Sequence, residues 1–288
     1  MSLRAEGPSS APAIRDLPRN AGEVRCTVYH ANTASPGART IPEETPVAFT
    51  YNRTTHAVML ATPAGLEDFA VGFSVTEGIV HRPEEIEALE IVPAEEGIEL
   101  RMWLAPARMD QLSVRQRRLA GPSGCGICGL ESLADAIRKP PHVGADPRFH
   151  PTTITAAIAA LPAAQHLNRQ THAVHAAAFW HPTRGMIALR EDVGRHNALD
   201  KLAGALVRAN VSAADGVLLL SSRVSVELVQ KAAMIGAPVI VAVSAPTALA
   251  LRMADPARIT LIGVARGDEF EVFTHPSRIT AEAAKHVA

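Results

Sequence analysis

Between residues 40 and 105 the chain alternates apolar and polar positions in short runs. PVAFTY, HAVMLA and IELRMWL predict β-strands, and LEDFAVGFSVTEGIV predicts a helix closing at Gly78. These form a small α+β lobe. From residue 172 the pattern changes to apolar, β-branched runs separated by amphipathic segments. HAAAFWH, GMIALRE, GVLLLSS, PVIVAVSA, RITLIGVARG and EFEVFTH read as strands, and NALDKLAGALVRA, VSVELVQKAAMIG and TALALRMA read as helices. Continuous apolar strands alternating with helices imply a buried, partly parallel sheet, so this half is expected to be a three-layer α/β lobe.

Between the two halves, LESLADAIRK predicts a short helix, PPHVGADPRFHP has the prolines and glycine of a linker, and ITAAIAALPAA predicts a further helix. The first residues are rich in Pro, Ser and Ala. The expected organisation is a loose tail at 1–22, an α+β lobe at 23–120, a cysteine loop with short helix and linker at 121–150, and an α/β lobe at 151–288. No internal repeat with a period of about 20–50 residues is present.

Composition narrows the class. Of 288 residues, 47% are hydrophobic and 20% charged, enough for a real core in a globular protein. A net charge of −1 offers no general field for nucleic acid or an anionic membrane, so neither is expected as a partner and any anionic ligand must be held by local groups. The start of the chain lacks the apolar run of a signal peptide. The longest apolar stretch, PVIVAVSAPTALALRMA, is broken by Pro246 and fits a buried strand and helix better than a membrane span. Three cysteines, two of them close together, suit a reducing compartment, and the cytoplasm is the expected location.

Cys125 and Cys128 lie in PSGCGICG and carry the clearest chemistry. A thiolate is the form that attacks a disulfide, accepts a sulfane sulfur or binds a metal, and nearby positive charge or a helix N-terminus favours it. The predicted helix from Leu130 and the upstream Arg108, Arg115, Arg117 and Arg118 supply both. Gly124, Gly126 and Gly129 remove side-chain bulk, so a large partner can come close. Half of a structural zinc site is the competing reading. It needs four ligands, and only distant His142, His172 or His175 are available to complete it. A thioredoxin-type motif expects CxxC after an early strand of a βαβ unit, which this position does not match. Cys26 reads as an inert residue near a mobile end.

The predicted strand ends hold polar turns. Asp192, Gly194, Arg195, His196 and Asn197 follow GMIALRE, Ser221, Ser222 and Arg223 follow GVLLL, and Ser244 and Thr247 flank Pro246. Each taken alone is an ordinary helix cap. At one edge of one sheet they make a cleft with hydroxyl, backbone and guanidinium donors for a phosphate.

HAAA, REDVGRHNALDK, SRVSVELVQKAA, VAVSAPTALA and GCGICG, with MLATPAGLEDFAVGFSVTEGIV ahead of them, closely resemble the FdhD family of formate dehydrogenase accessory sulfurtransferases over roughly residues 40–280. The resemblance implies a cytidine deaminase-like C-terminal lobe and a homodimer. It implies that sulfur passes from a cysteine desulfurase to molybdenum bis(molybdopterin guanine dinucleotide), bound as substrate, for the formate dehydrogenase catalytic subunit. Cys125 would carry the persulfide and Cys128 would assist in relay or release. Cofactor contacts would fall on Asp192, Arg195, His196, Ser222, Arg223 and Ser244, and on the last strand at Phe270, Glu271, Val272, Phe273, Thr274 and His275, with Arg266 nearby. No permanently bound metal is expected.

This chain departs from the family pattern twice: Thr171, His172 and Ala173 stand where the family reads Thr-Gly-Gly, and Ser222 precedes Arg223 where it reads Ser-Gly-Arg. Both bear on how the usual ligand is held. Zinc deaminase chemistry is disfavoured, because CxxC precedes the histidine motif, Pro122 is not adjacent to Cys125, and His175 is followed by Ala176 and Ala177 rather than by a glutamate two positions on. Two alternatives remain open on the residues: a cofactor-binding chaperone that uses its cysteines only to grip, and a zinc-stabilised interaction protein.

Overall fold

The computed structural model describes residues 17–106, 108–109 and 139–280. Cys125 and Cys128, with their glycines, Arg115, Arg117 and Arg118, and the predicted helix LESLADAIRK up to Arg138, lie outside the described residues.

Strands β3 (Thr45–Tyr51), β4 (Thr54–Ala61), β5 (Ile86–Ala94) and β6 (Gly97–Leu104) form a four-stranded sheet in the order β4-β3-β6-β5. One face packs on helix α1 (Leu66–Thr76). Alternation decides which side chains go in: Val47, Phe49 and Tyr51 of β3 and Leu100, Met102 and Leu104 of β6 are buried against Phe69 and Phe73. The Phe49 ring stacks on Phe73 at 4.1 Å and meets the edge of Phe69 at 4.9 Å.

The second lobe holds a six-stranded sheet in the order β12-β11-β10-β9-β7-β8. Its strands are β7 (His175–His181), β8 (Gly185–Asp192), β9 (Val217–Leu220), β10 (Val239–Ala242), β11 (Thr260–Arg266) and β12 (Glu269–Val272). β9, β10 and β11 are parallel, β7 is antiparallel to β8 and β9, and β12 is antiparallel to β11. β9 and β10 are buried throughout, as their unbroken apolar sequences require.

Helix α2 (Pro151–Ala164) covers one face of this sheet, meeting Val217, Leu219, Val239 and Val241. Helices α4 (Arg195–Arg208), α5 (Val226–Met234) and α6 (Ala248–Ala254) cover the other, meeting Leu218, Leu220, Ile240 and Ala242. The three-layer expectation holds, and a six-residue helix α3 (His166–Thr171), absent from the sequence reading, follows α2 directly.

Two further differences have physical causes. The tail does not extend to residue 22: Ala21 opens β1 (Ala21–His30), which pairs antiparallel with β2 (Thr33–Pro42) as a separate two-stranded ribbon. Nearly every ribbon residue is exposed, so no buried face imposes the alternation by which strands are recognised. Cys26 lies exposed in the middle of β1 rather than at a mobile end. The linker is a packed strap, in which Val143 and Phe149 are buried, the Val143 N–H donates to the Ala257 carbonyl, and Asp146 pairs with Arg278 at 2.9 Å.

The lobes meet where α1 crosses α4. A methyl group on Gly72 would lie 1.7 Å from the Asp200 carbonyl oxygen, and one on Gly204 would lie 1.8 Å from that of Asp68, so both positions admit only glycine. Charged groups surround this crossing. Asp68 receives Arg190 and Arg208 at 2.6 Å each, and Lys231 bridges Asp200 at 2.8 Å and Glu77 at 2.9 Å.

Candidate functional site

β8, β9, β10 and β11 all end at one edge of the second sheet, and antiparallel β7 begins there. The polar turns of the sequence therefore share that edge, but not all of their side chains face outward.

Asp192, at the end of β8, is fully buried and turned inward. It accepts hydrogen bonds from the N–H groups of Thr62 (3.0 Å) and Gly194 (2.8 Å), from Asn197 Nδ2 (3.0 Å) and from Lys201 Nζ (2.5 Å). With both oxygens occupied it cannot contact a ligand, and its role as a cofactor contact is corrected to one of fixing the turn. Asn197 also donates to the Leu60 carbonyl, tying the turn to the first lobe. Burial pulls the Lys201 pKa below the usual lysine value, against the pull of Asp192.

The next residues face the edge. Arg195 opens α4, and its Nε is buried with no hydrogen-bond partner among the described residues. His196 Nε2 lies 3.3 Å from Ser225 Oγ and 3.7 Å from Glu227, which links α4 to α5. The neighbouring His196 ring is the main cause that holds the Glu227 carboxyl at about 2. His175, the first residue of β7, is half-buried. Burial, then the charges of Arg195 and His196, keep its pKa below the ordinary histidine value against the opposing Asp192. It is therefore a neutral imidazole at neutral pH, with one donor and one acceptor.

Of the second turn, Arg223 is exposed with no partner among the described residues, while Ser222 is buried and donates to the Arg223 carbonyl at 3.0 Å. The Ser222 hydroxyl is thus turned away from solvent, and its expected contact is corrected accordingly. Ser222 is absent from the residues with positive φ, so its replacement of glycine carries no backbone strain. His172 differs. It closes α3 at φ 54°, a left-handed conformation that glycine adopts freely and histidine at a cost of roughly 1 kcal/mol. In the third turn, the Ser244 carbonyl accepts from Val264 at 3.3 Å and Thr247 caps α6 through Ala250 N–H. Arg266 ends β11 and reaches the Val243 carbonyl through Nε at 3.4 Å.

The last strand does not gather at this edge. β12 begins beside Arg266 and runs away from it: Glu271 pairs with Gly263, Val272 with Ile262, and the Phe273 N–H donates to Leu261. Thr274 is buried and bonds Ile259 and Leu261, and His275 Nε2 lies 2.9 Å from the Asp255 carbonyl. Five residues of strand separate Arg266 from Leu261, about 17 Å at strand rise. Phe270 through His275 therefore leads from the candidate edge to the opposite one, with Phe270 and Val272 packed against the α2-side core.

Beside the edge, on the α2 face, lies a cleft of about 460 Å³. Ile158 and Leu161 of α2 and Val243 and Ala265 of the sheet give it apolar walls. Gln165 and Asn168, from the joint between α2 and α3, supply polar groups, as do His175 and Arg266. Gln165 and Asn168 were not signalled by the sequence, where HLNRQ has neither apolar periodicity nor a recognised motif. Arg108, expected near the cysteines, pairs with Glu85 at 2.7 Å. Burial pushes Glu85 upward, but hydrogen bonds from Arg108 and the N–H groups of His81 and Arg82 outweigh it and hold the carboxyl at about 2. Among the described residues no group of three His, Cys, Asp or Glu is placed to hold a metal, and no helix is long and apolar enough to cross a membrane.

The chain is 52% identical over 257 residues to the sulfur carrier protein FdhD of Agrobacterium fabrum, covering 89% of this chain and 95% of that one. It is 54% identical over 243 residues to the sulfur carrier protein FdhD of Brucella abortus, covering 84% and 90%. Its fold matches the crystal structure of a formate dehydrogenase accessory protein from Desulfotalea psychrophila with a TM-score of 0.71 and 25% identity, covering 91% of this chain and all of that one. The family model described as FdhD/NarQ matches residues 42–280, which takes in both lobes and the candidate edge, and the chain belongs to that family.

Proposed function

We propose that the chain is a cytoplasmic sulfur carrier that takes sulfur from a cysteine desulfurase and delivers it to molybdenum bis(molybdopterin guanine dinucleotide) for formate dehydrogenase. The observation that carries this reading is the buried, unpartnered Arg195 Nε at an edge shared with His175 and Arg223, in a chain whose relatives are named sulfur carriers. A guanidinium at a helix N-terminus, with its Nε unpartnered among the described residues, suits a diphosphate, the charged part of a dinucleotide. The strand order β8-β7-β9-β10-β11, with only β7 reversed, supports a deaminase-type scaffold used here without zinc chemistry.

In this reading the Cys125 thiolate attacks the outer sulfur of the desulfurase persulfide. The desulfurase S–S bond breaks, its thiolate leaves and a Cys125 persulfide forms, with no net oxidation. Release as sulfide needs two electrons. Cys128 supplies them by attacking Cys125 Sγ, so that hydrosulfide leaves and a Cys125–Cys128 disulfide forms. Arg195 and Arg223 hold the diphosphate of the substrate, Arg266 and Ser244 border it, and two copies of the chain pair as a homodimer.

The test is incubation of the protein with a cysteine desulfurase and cysteine, followed by mass measurement of the Cys125 peptide. Added sulfur on Cys125, lost in Cys125→Ala, is expected, and no added sulfur on either cysteine sinks the reading. The chaperone alternative predicts full formate dehydrogenase activity in cells carrying Cys125→Ala. Sedimentation of the full chain tests the dimer.

A further inference from the structure

Val264, in β11, is held at φ 53°, in the left-handed region. Branching at Cβ makes that conformation costly, and residues kept in it gather where a site demands a particular geometry. Its side chain is exposed, so packing of the valine does not account for it. The register shows what the conformation does. Ile262 pairs with Val272 and Gly263 with Glu271, but Arg266 pairs with Glu269, which leaves Val264 and Ala265 together opposite Phe270. β11 thus carries one extra residue in a β-bulge, and the Val264 N–H anchors it by donating to the Ser244 carbonyl at 3.3 Å.

The extra residue reverses the face that each later side chain takes. Before the bulge, Leu261 belongs to the core beneath α4, α5 and α6, and Ile262 to the core beneath α2. Gly263 returns to the α4 face, where a methyl group would come 2.9 Å from Pro246 Cδ in the turn before α6. Strict alternation would then put Ala265 on the α4 face and Arg266 on the α2 face. Instead Ala265 is buried in the α2-side core, so Arg266, one position on, leaves the strand from the α4 face. Like His175, whose neighbour Ala176 lies in the α2-side core, Arg266 borders the cleft from the strand end. Arg195, which opens α4, and Arg223, which precedes α5, come from that same layer. Resting on the function proposed above, we infer that Val264 is a positioning residue: its bulge turns Arg266 to the face of Arg195 and Arg223, where the three guanidinium groups together hold the diphosphate. Val264 touches no ligand and acts only through the parity of the strand.

Calorimetric titration of the full chain with pyrophosphate tests this, on wild type, Arg266→Gln, a chain lacking Val264, the two changes combined, and Val264→Gly. Wild type is expected to bind. Arg266→Gln should weaken binding by about tenfold, through loss of a charge-assisted contact. Deleting Val264 should cost the same factor and the combination no more, because the deletion acts by misplacing Arg266. A merely structural role for the bulge would not produce that non-additivity. Val264→Gly is the conservative variant: it keeps the extra residue, adopts the left-handed conformation freely, and should bind within about twofold of wild type. A deletion chain that binds like wild type, a combined variant weakened by the product of the two losses, or a weakened Val264→Gly would each overturn the inference and leave the diphosphate reading standing. A wild type that binds no pyrophosphate overturns both. Should the deletion chain not fold, a glycine inserted between Ala265 and Arg266 takes its place. It leaves Ala265 in the core, falls next to the exposed turn between β11 and β12, and reverses Arg266 alone. The insertion should lose the same tenfold, and wild-type affinity in it would overturn the inference.

Discussion

A buried guanidinium nitrogen with no partner among the described residues weakens the folded state, so on the function proposed above Arg195 would set ligand binding against stability. Arg195→Met is expected to leave the protein as stable as wild type or up to about 1 kcal/mol more stable by urea denaturation, while diphosphate affinity falls by about tenfold or more. The Lys201–Asp192 pair behaves in the opposite way. Lys201→Met strands a buried carboxylate and should cost about 3–5 kcal/mol in the same assay, and adding Asp192→Asn should recover much of it. His175 gives a pH signature. Its folded pKa lies below the unfolded value of 6.5, so the unfolded chain binds the proton first and stability falls as pH drops through 6.5, with no contribution above it. His175→Gln should lessen the stability difference between samples buffered above and below pH 6.5. Burial is the first cause of the shift, Arg195 and His196 add to it and Asp192 opposes it, so replacing Arg195 should shrink it. At this scale the sequence located the edge but not its orientation. Asp192, Ser222 and Thr274 are polar residues at strand ends, and a polar residue there serves buried backbone groups as readily as a ligand. Gln165 and Asn168 carried no signal, because an isolated amide between helices has no spacing to recognise.

Elements that bury a face were legible, and those that do not were missed. β9 and β10 could be read from VLLL and VIVA because layers on both sides exclude polar residues from them. The ribbon β1–β2 could not, since Val24, Val28, Tyr29 and Ile41 stand exposed among charged and small residues. An isolated two-stranded ribbon is marginally stable by itself. Apart from its own ladder it is tied to the body through Arg39, which donates to the Thr171 carbonyl at 3.4 Å, and through packing on α3. Excising Val24–Arg39 and rejoining the ends is expected to change unfolding free energy by no more than about 1 kcal/mol, as for other surface changes that remove little burial. A larger loss by urea denaturation would show that the ribbon supports α3 and, through it, the cleft.

For the whole molecule, the sequence described two lobes of the right kinds and left their relation open. Helix periodicity shows which face of α1 is apolar, but not that Gly72 and Gly204 admit the backbone of a partner helix. That relation has a thermal consequence. With α1 and α4 in backbone contact and Asp68, Asp192, Asp200 and Lys231 shared across the junction, neither lobe can lose its structure without stranding charges in the other. Scanning calorimetry should therefore record one endotherm for the full chain, and Gly204→Val, which wedges the crossing apart, should split or broaden it. The lobes are locked together at the α1–α4 crossing, so on the function proposed above any movement that brings sulfur to the cleft takes place outside that crossing.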